Sequence, residues 1–150
     1  MLLKKKKMDR LSPLHRSWNM SRIKAKDTLP ELTVRSLIHS LGFRFRLHCS
    51  NLPGKPDIIL PRLKTAIFVH GCFWHRHLGC HFAYTPKTRE EFWNKKFRNT
   101  KLRDQYVATE IRKLGWINLT VWECELKDIE GLKKRIRNEL AVIENNSGIK

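Results

Sequence analysis

The segment from Pro56 to Cys80, PDIILPRLKTAIFVHGCFWHRHLGC, constrains what this chain can fold into more than any other. Asp-Ile-Ile-Leu (57–60) and Thr-Ala-Ile-Phe-Val (65–69) are short, apolar and rich in branched side chains, and Pro61-Arg62-Leu63-Lys64 between them is a tight connection. The pattern predicts a hairpin at the centre of a sheet. Asp57 then stands at the mouth of a buried strand, directly after the turn signal Pro53-Gly54-Lys55-Pro56. An acid is poorly placed there for packing and well placed for a cation. A capping aspartate in a turn is the alternative reading for a lone Pro-Asp.

The second half of the segment adds His70, Cys72, His75, His77 and Cys80 within a few residues of the strand expected beside Asp57. Cys72, His77 and Cys80 supply three soft or borderline ligands, and a tetrahedral Zn²⁺ site needs four. Cys124, which ends the apolar segment Trp116 to Trp122, completes a Cys₃His set if that segment is a neighbouring strand. Four such ligands leave no open position, so this zinc would be structural and catalysis would lie elsewhere. The spacing is not that of paired C-x-x-C knuckles, and His75 and His81 are substitute ligands. Cys49 reads as a small buried hydrophobe.

Four blocks, PGKPD (53–57), IFVHGCFWHRH (67–77), EFWNKKFRNTKLRD (91–104) and LGWINLTVWEC (114–124), resemble the very short patch repair (Vsr) family of DNA mismatch endonucleases, over about Asn19 to Leu140. The resemblance implies a restriction-endonuclease-like core, a central mixed β-sheet flanked by helices, with a catalytic Mg²⁺ and a structural Zn²⁺. It implies an enzyme that nicks one strand next to a T:G mismatch. Residue by residue it makes Asp57 the Mg²⁺ carboxylate, His75 the general base, His70 a second active-site imidazole and Asp104 the acid that orients a histidine. Glu31, besides its place in a capping box, becomes an active-site acid. Val69 stands where better-known members have threonine, and it would lend its backbone carbonyl to the metal. Cys72, His77, Cys80 and Cys124 become the zinc ligands; the Cys72 to Cys80 interval carries one extra residue at Leu78-Gly79, so His77 rather than His75 rests on its distance from Cys72. Phe73, Trp74 and Trp93 are cast as a wedge entering the duplex from the major-groove side, where unstacking is cheapest at a mispaired step.

Charge agrees with a polyanionic partner. Thirty-one Lys and Arg against 14 Asp and Glu give +17, which predicts salt-dependent binding to double-stranded DNA. Ribosomal proteins share that imbalance, so it names a partner class and no activity. One domain is expected from 150 residues, of which 41% are hydrophobic. The expected division is a basic arm over 1–18, a single endonuclease domain over 19–145 and a tail over 146–150. Lys4 to Lys7 precede no apolar segment of signal-peptide length, and no run is long enough for a membrane, so a cytoplasmic protein is expected. Cysteines mixed with histidines suit a reducing compartment better than a disulfide framework. A monomer is expected, with mismatch-repair proteins as partners.

In chain order, the residues before Asp27 carry nine Lys or Arg, one acid and no sustained helical or strand period. Trp18 to Ile23 interleaves apolar and charged side chains as a minor-groove arm would, and the resemblance favours that for Met20 and Ile23. Thr28-Leu29-Pro30-Glu31 is a capping box opening a helix on Val34, Leu37, Ile38 and Leu41, stopped by Gly42. Phe43 to His48 alternates as a half-exposed strand. Thr88 to Leu114 predicts a long helix broken near Asn99-Thr100, with Phe92, Phe97, Tyr106, Ile111 and Leu114 toward a core and a basic face of Lys95, Lys96, Arg98, Lys101 and Arg103. Trp116 to Trp122 gives the last strand, and Asp128 starts a helix on Ile129, Leu132, Ile136, Leu140 and Ile143.

The expected chemistry is hydrolysis of one phosphodiester by water, with Asp57 and the Val69 carbonyl holding Mg²⁺ and His75 as base. Where the usual restriction-like core places an acid and a lysine on the second strand, this chain has Phe68-Val69-His70. The alternatives are a restriction-like nuclease acting on another DNA sequence or structure, and a zinc-stabilised DNA-binding protein without activity.

Overall fold

The computed structural model describes residues 12–148. Most of the expected basic arm, 1–11, and the last two residues of the expected tail lie outside them. Among the described residues no helix is long and apolar enough to cross a membrane.

The centre is a four-stranded mixed sheet in the order β1 (Arg46–Leu47), β2 (Ile58–Leu60), β3 (Thr65–His70) and β4 (Ile117–Trp122). The hairpin expected from Asp57 to Val69 is present: β2 and β3 pair antiparallel, Ile58 opposite Ile67, through a 3-10 turn at Pro61–Leu63 that Lys64 closes in the left-handed region. β3 and β4 run parallel from Thr65↔Ile117 to His70↔Trp122, so their C-terminal ends finish level. The expected strand over Phe43 to His48 contracts to two paired residues, because β2 offers it only Ile58 and Ile59 as partners, although Phe43, Phe45 and Leu47 pack against the core with the expected alternation.

Both faces of β2 and β3 are covered, which is why they read as continuous apolar runs. α2 (Leu29–Ser40) and α5 (Ile129–Ser147) cover one face, with Val34, Leu37 and Ile38 from α2 and Leu132, Ile136 and Leu140 from α5 against Ile58, Leu60, Ile67, Leu119 and Val121. α4 (Glu90–Lys113) covers the other, packing Ile111 and Val107 on Ile59, Ala66 and Phe68. Asp128 caps α5 as expected, its carboxylate accepting from Gly131 N–H at 3.0 Å, although Ile129 is exposed rather than packed.

Three expectations are corrected. α4 is unbroken at Asn99-Thr100, since these residues cost only about 0.5 kcal/mol each relative to good helix formers and neither is Gly or Pro. The phase fixed by Phe97, Val107 and Ile111 turns Phe92 and Tyr106 to solvent, and Leu114 is exposed at the C-cap. The segment before Asp27, which shows no sustained period, contains α1 (Pro13–Ser21), crossing the expected boundary at residue 18. Its start is locally encoded: Ser12 accepts from His15 N–H at 3.1 Å and Pro13 takes the first helical position. α1 buries no residue, so no core contact fixes its apolar side chains.

Candidate active site

The turn PGKPD is pressed against α4. A Cβ on Gly54, whose φ is +72°, would lie 2.5 Å from a Val107 methyl and 3.2 Å from Phe68, so only glycine fits both the backbone and the space. This contact delivers Asp57 to the start of β2, where its N–H donates to the Ile67 carbonyl at 3.1 Å. Its Oδ2 accepts from the Val69 N–H at 2.7 Å, and among the described residues no protein donor reaches Oδ1. Glu31 lies nearby, buried in the first turn of α2. The capping box is formed, Glu31 N–H donating to Thr28 Oγ1 at 3.4 Å, and the carboxylate accepts from Thr28 Oγ1 at 3.0 Å, from Asp27 N–H at 2.9 Å and from Arg35 at 3.4 Å. Burial pushes the Asp57 carboxyl up, the Val69 N–H pulls it down, and the Glu31 charge pushes it up again, for a net rise. Two acids sharing one poorly solvated wall favour a cation between them and the solvent.

The opposite wall is built by β3, a one-turn helix α3 (Cys72–His75) and α4. His70 ends β3, and its ring stacks on that of His75 at 3.7 Å and 5°. His75 Nδ1 lies 2.6 Å from Asp104 Oδ2, 29 residues away on α4. That contact places the proton on Nδ1 and leaves Nε2 as the basic nitrogen. Burial lowers His70 to about 4, with the His75 charge acting in the same direction, so His70 stays neutral when its neighbour takes a proton.

A base whose folded value is depressed is neutral in the fold while the unfolded chain takes a proton below about 6.5. Its stabilisation is therefore present above about 6.5 and lost as pH falls toward about 4. NMR titration of the ring protons should place the His70 midpoint near 4, and the stability difference between wild type and His70→Gln should shift against wild type across that window. A His70 midpoint near 6.5 would remove this account of the stack.

Glu31, Asp57, Val69, His70, His75 and Asp104 all line one cleft of about 450 Å³. It also takes in Lys55, Arg103 and Asn118, which the sequence reading did not single out as site residues. The signal for Asn118 is the strand period: Leu119 and Val121 face the core with α2 and α5, so Asn118 must face the cleft side, where its buried Oδ1 has no protein partner. Arg103 was visible only as one charge of a basic face. Lys55 carries no sequence signal beyond its place in the Pro53–Pro56 turn.

The second cluster follows from the level ends of β3 and β4. Because His70 pairs with Trp122, the residues two further on, Cys72 and Cys124, emerge side by side. The turn after α3 brings back His77, its Nδ1 3.7 Å from Cys72 Sγ and 3.2 Å from Cys124 Sγ, and the ligand atoms of Cys72, His77, Cys80 and Cys124 all lie within 4.8 Å of one another. Donors about 2.0–2.3 Å from a shared tetrahedral centre are separated by about these distances. All four cysteines are free thiols. Burial pushes Cys72 up to about 12 and raises Cys124 as well. At Cys80 burial acts upward but is outweighed by hydrogen bonds from the Phe82 backbone, the Cys72 and Cys124 thiols and the Ala83 backbone, so its thiol is lowered. Three thiols and an imidazole converging within 4.8 Å form a donor set suited to a soft or borderline dication. His75 points to Asp104 instead, exposed His81 lies outside the set, and Cys49 packs half-buried against the core on the α4 side.

Phe73 is half-buried among Trp74, Tyr84, Trp93 and Phe97, with centroids 5.1 to 5.4 Å away, and Arg76 lies over Phe97 at 4.1 Å. Lys96 lies over Trp74 at 5.2 Å and Lys95 is exposed. Met20 and Ile23 are exposed at and after the end of α1, 45% and 54% respectively, so neither has a packing role in the domain.

The matching of known proteins agrees with this geometry. Residues 8–81 match the family described as DNA mismatch endonuclease Vsr. The chain is 47% identical over 132 residues to the type II nicking enzyme V.XorIIP of Xanthomonas oryzae pv. oryzae, covering 88% of this chain and 96% of that one. It is 38% identical to V.NmeAIP of Neisseria meningitidis, covering 87% and 92%, and 41% identical to DNA mismatch endonuclease Vsr of Escherichia coli K12, covering 78% and 74%. Identity at that level over most of the chain makes this chain a nuclease of the Vsr family of DNA endonucleases.

Proposed function

We propose that this Vsr-family nuclease nicks one strand of duplex DNA beside a T:G mismatch, using Mg²⁺ in the cleft and Zn²⁺ in the cysteine cluster. The observation that carries the reading is the cleft itself, with acids on one wall and a hydrogen-bonded histidine–aspartate pair on the other. The names of the relatives support it, one as a mismatch endonuclease and others as nicking enzymes. A mixed sheet with helices on both faces supports a restriction-endonuclease-like core.

The cleft residues fit a hard dication with oxygen ligands: Asp57 offers an open Oδ1 in a poorly solvated place, with the Val69 carbonyl and Glu31 as neighbouring oxygens. Bound there, Mg²⁺ would neutralise charge building on the scissile phosphate. Asp57 would hold it, and the orientation of the carboxylate is fixed by the Val69 N–H. Nε2 of His75 accepts the proton of the attacking water, while Asp104 holds the tautomer and stabilises the imidazolium that results. His70 stays neutral in the stack and adds no repulsion to that charge. Lys55 and Arg103 supply the positive rim that holds the phosphate backbone. Phe73, Trp74 and Trp93 form the wedge for the mispaired step, Lys95 and Lys96 flank them, and Met20 and Ile23 reach the minor groove from α1 and its exit. The enzyme acts as a cytoplasmic monomer with mismatch-repair proteins as partners, through one domain from about residue 19 to 145.

The test is cleavage of end-labelled duplexes, T:G and matched T:A, by zinc-loaded protein with Mg²⁺. A single-strand nick confined to the T:G duplex is expected. Equal cutting of both would replace the mismatch reading with a restriction-like nuclease of other specificity, and binding without cutting in several flanking contexts would replace it with a DNA-binding protein.

A further inference from the structure

We propose that Trp122 is a positioning residue that couples the cysteine cluster to the catalytic imidazoles, so that the metal held by the first sets the geometry of the second. The proposal rests on the reading of His75 as the base. It is carried by an unbroken run of ring contacts between two clusters that the sequence presents as separate. The His77 ring lies flat on Trp122, centroids 4.2 Å apart and planes 8° from parallel. The Trp122 ring meets His70 edge to face at 5.4 Å and 72°. His70 stacks on His75 at 3.7 Å, and His75 is held by Asp104 at 2.6 Å.

Trp122 is fixed on the backbone side as well. It pairs in register with His70 across β3 and β4, and its N–H donates to Glu125 Oε2 at 2.8 Å. Arg135 on α5 holds that same carboxylate, at 2.9 Å from one nitrogen and 2.8 Å from another. The indole is thus a plate clamped by the sheet, with a candidate metal ligand on its face and a cleft imidazole at its edge. Groups that orient a metal's ligands ordinarily act on that metal alone. Here the group orienting His77 also abuts His70, and a base displaced by about 1 Å loses on the order of a hundredfold in rate. A tryptophan filling space at a strand end would not need a parallel face on one imidazole and an edge on another. Leucine at this position would fill much of the volume and keep neither contact, whereas phenylalanine can keep both.

The test compares zinc-loaded wild type, Trp122→Phe and Trp122→Leu as full chains. It measures bound zinc, affinity for the mismatched duplex, single-turnover nicking rate and the ¹H–¹⁵N resonances of the His70 and His75 rings. Trp122→Leu is expected to keep its zinc and its DNA affinity while the nicking rate falls about 10- to 100-fold and the two ring signatures shift. Trp122→Phe is expected to restore both rate and signatures. An unchanged rate with unshifted rings in Trp122→Leu would overturn the proposal. So would loss of zinc and rate together in both variants, which marks a purely structural tryptophan. If wild type fails to nick T:G duplexes, the proposed function falls, and the ring resonances of Trp122→Leu still decide the coupling: unshifted, they overturn it.

Discussion

Asp57→Ala should lower the nicking rate by about 10³-fold or more while leaving affinity for the mismatched duplex close to wild type. The size follows from what the carboxylate does: a cation that neutralises phosphate charge is worth several kcal/mol in the transition state, and about 1.4 kcal/mol is tenfold in rate. Affinity is spared because the positive rim, Lys55 and Arg103, is untouched and the loss of one acid only adds to the positive charge of the chain. The same variant separates catalysis from folding. Burial and the Glu31 charge raise the Asp57 carboxyl above its unfolded value, so the stability linked to it is present below the unfolded value and lost as pH rises through the folded one. At neutral pH the metal-free protein therefore holds an ionised group in an unfavourable place. Asp57→Asn should melt no lower than wild type without Mg²⁺, and added Mg²⁺ should raise the melting temperature of wild type only. An Asp57→Asn protein that melts well below wild type in Mg²⁺-free buffer, with zinc bound to both, would mean that the carboxylate serves the fold, through its bond to Val69, rather than a cation.

The parts legible in the sequence are those with a short-range physical code. Unbroken branched runs at 57–60 and 65–69 specify the central hairpin, Thr28 with Glu31 specifies the start of α2, and Asp128 specifies that of α5. What stayed illegible depends on register and phase between distant elements. That Cys124 meets Cys72 follows from the parallel pairing of His70 with Trp122, which no local spacing reveals; the cysteine set read from the sequence depended on β4 lying next to β3. The cleft positions of Arg103 and Asn118 depend on the rotation of α4 and on which face of β4 meets the core. α4 also shows how a list of apolar residues at roughly helical spacing overstates a buried face: Phe97 and Ile111 are inside, while Phe92 and Tyr106 are 45% and 64% exposed. The aromatic cluster is equally invisible to local spacing: Phe73 has four aromatic neighbours, three of them on other segments of the chain.

Cys124→Ala should be the most destabilising single substitution in the site. β4 ends at Trp122, so Cys124 is the point at which a metal would tie the end of the last strand to Cys72, beyond the end of β3, and to the loop that carries His77 and Cys80. Residues 76–89 contain no regular helix or strand, and packing alone gives them little to resist opening. Structural zinc contributes about 10–16 kcal/mol in small peptides that have no other core. This domain has a covered sheet, so loss of one ligand should remove a smaller amount, about 4 kcal/mol, which for about 150 residues lowers the melting temperature by about 8–16 °C. Hydrogen exchange should quicken first in 72–89, with the amides of β2 and β3 protected longest. Cys49→Ala is the control, a half-buried thiol against the core on the α4 side and outside the cluster, where a modest loss is expected. Equal melting temperatures for the two variants, or a wild type whose melting is indifferent to a strong chelator, would mean that the four side chains meet without a metal. The drop expected for Cys124→Ala and the stability expected for Asp57→Asn oppose each other because the two clusters differ in kind: one set of ligands closes around its ion, and the other leaves an oxygen open to the substrate.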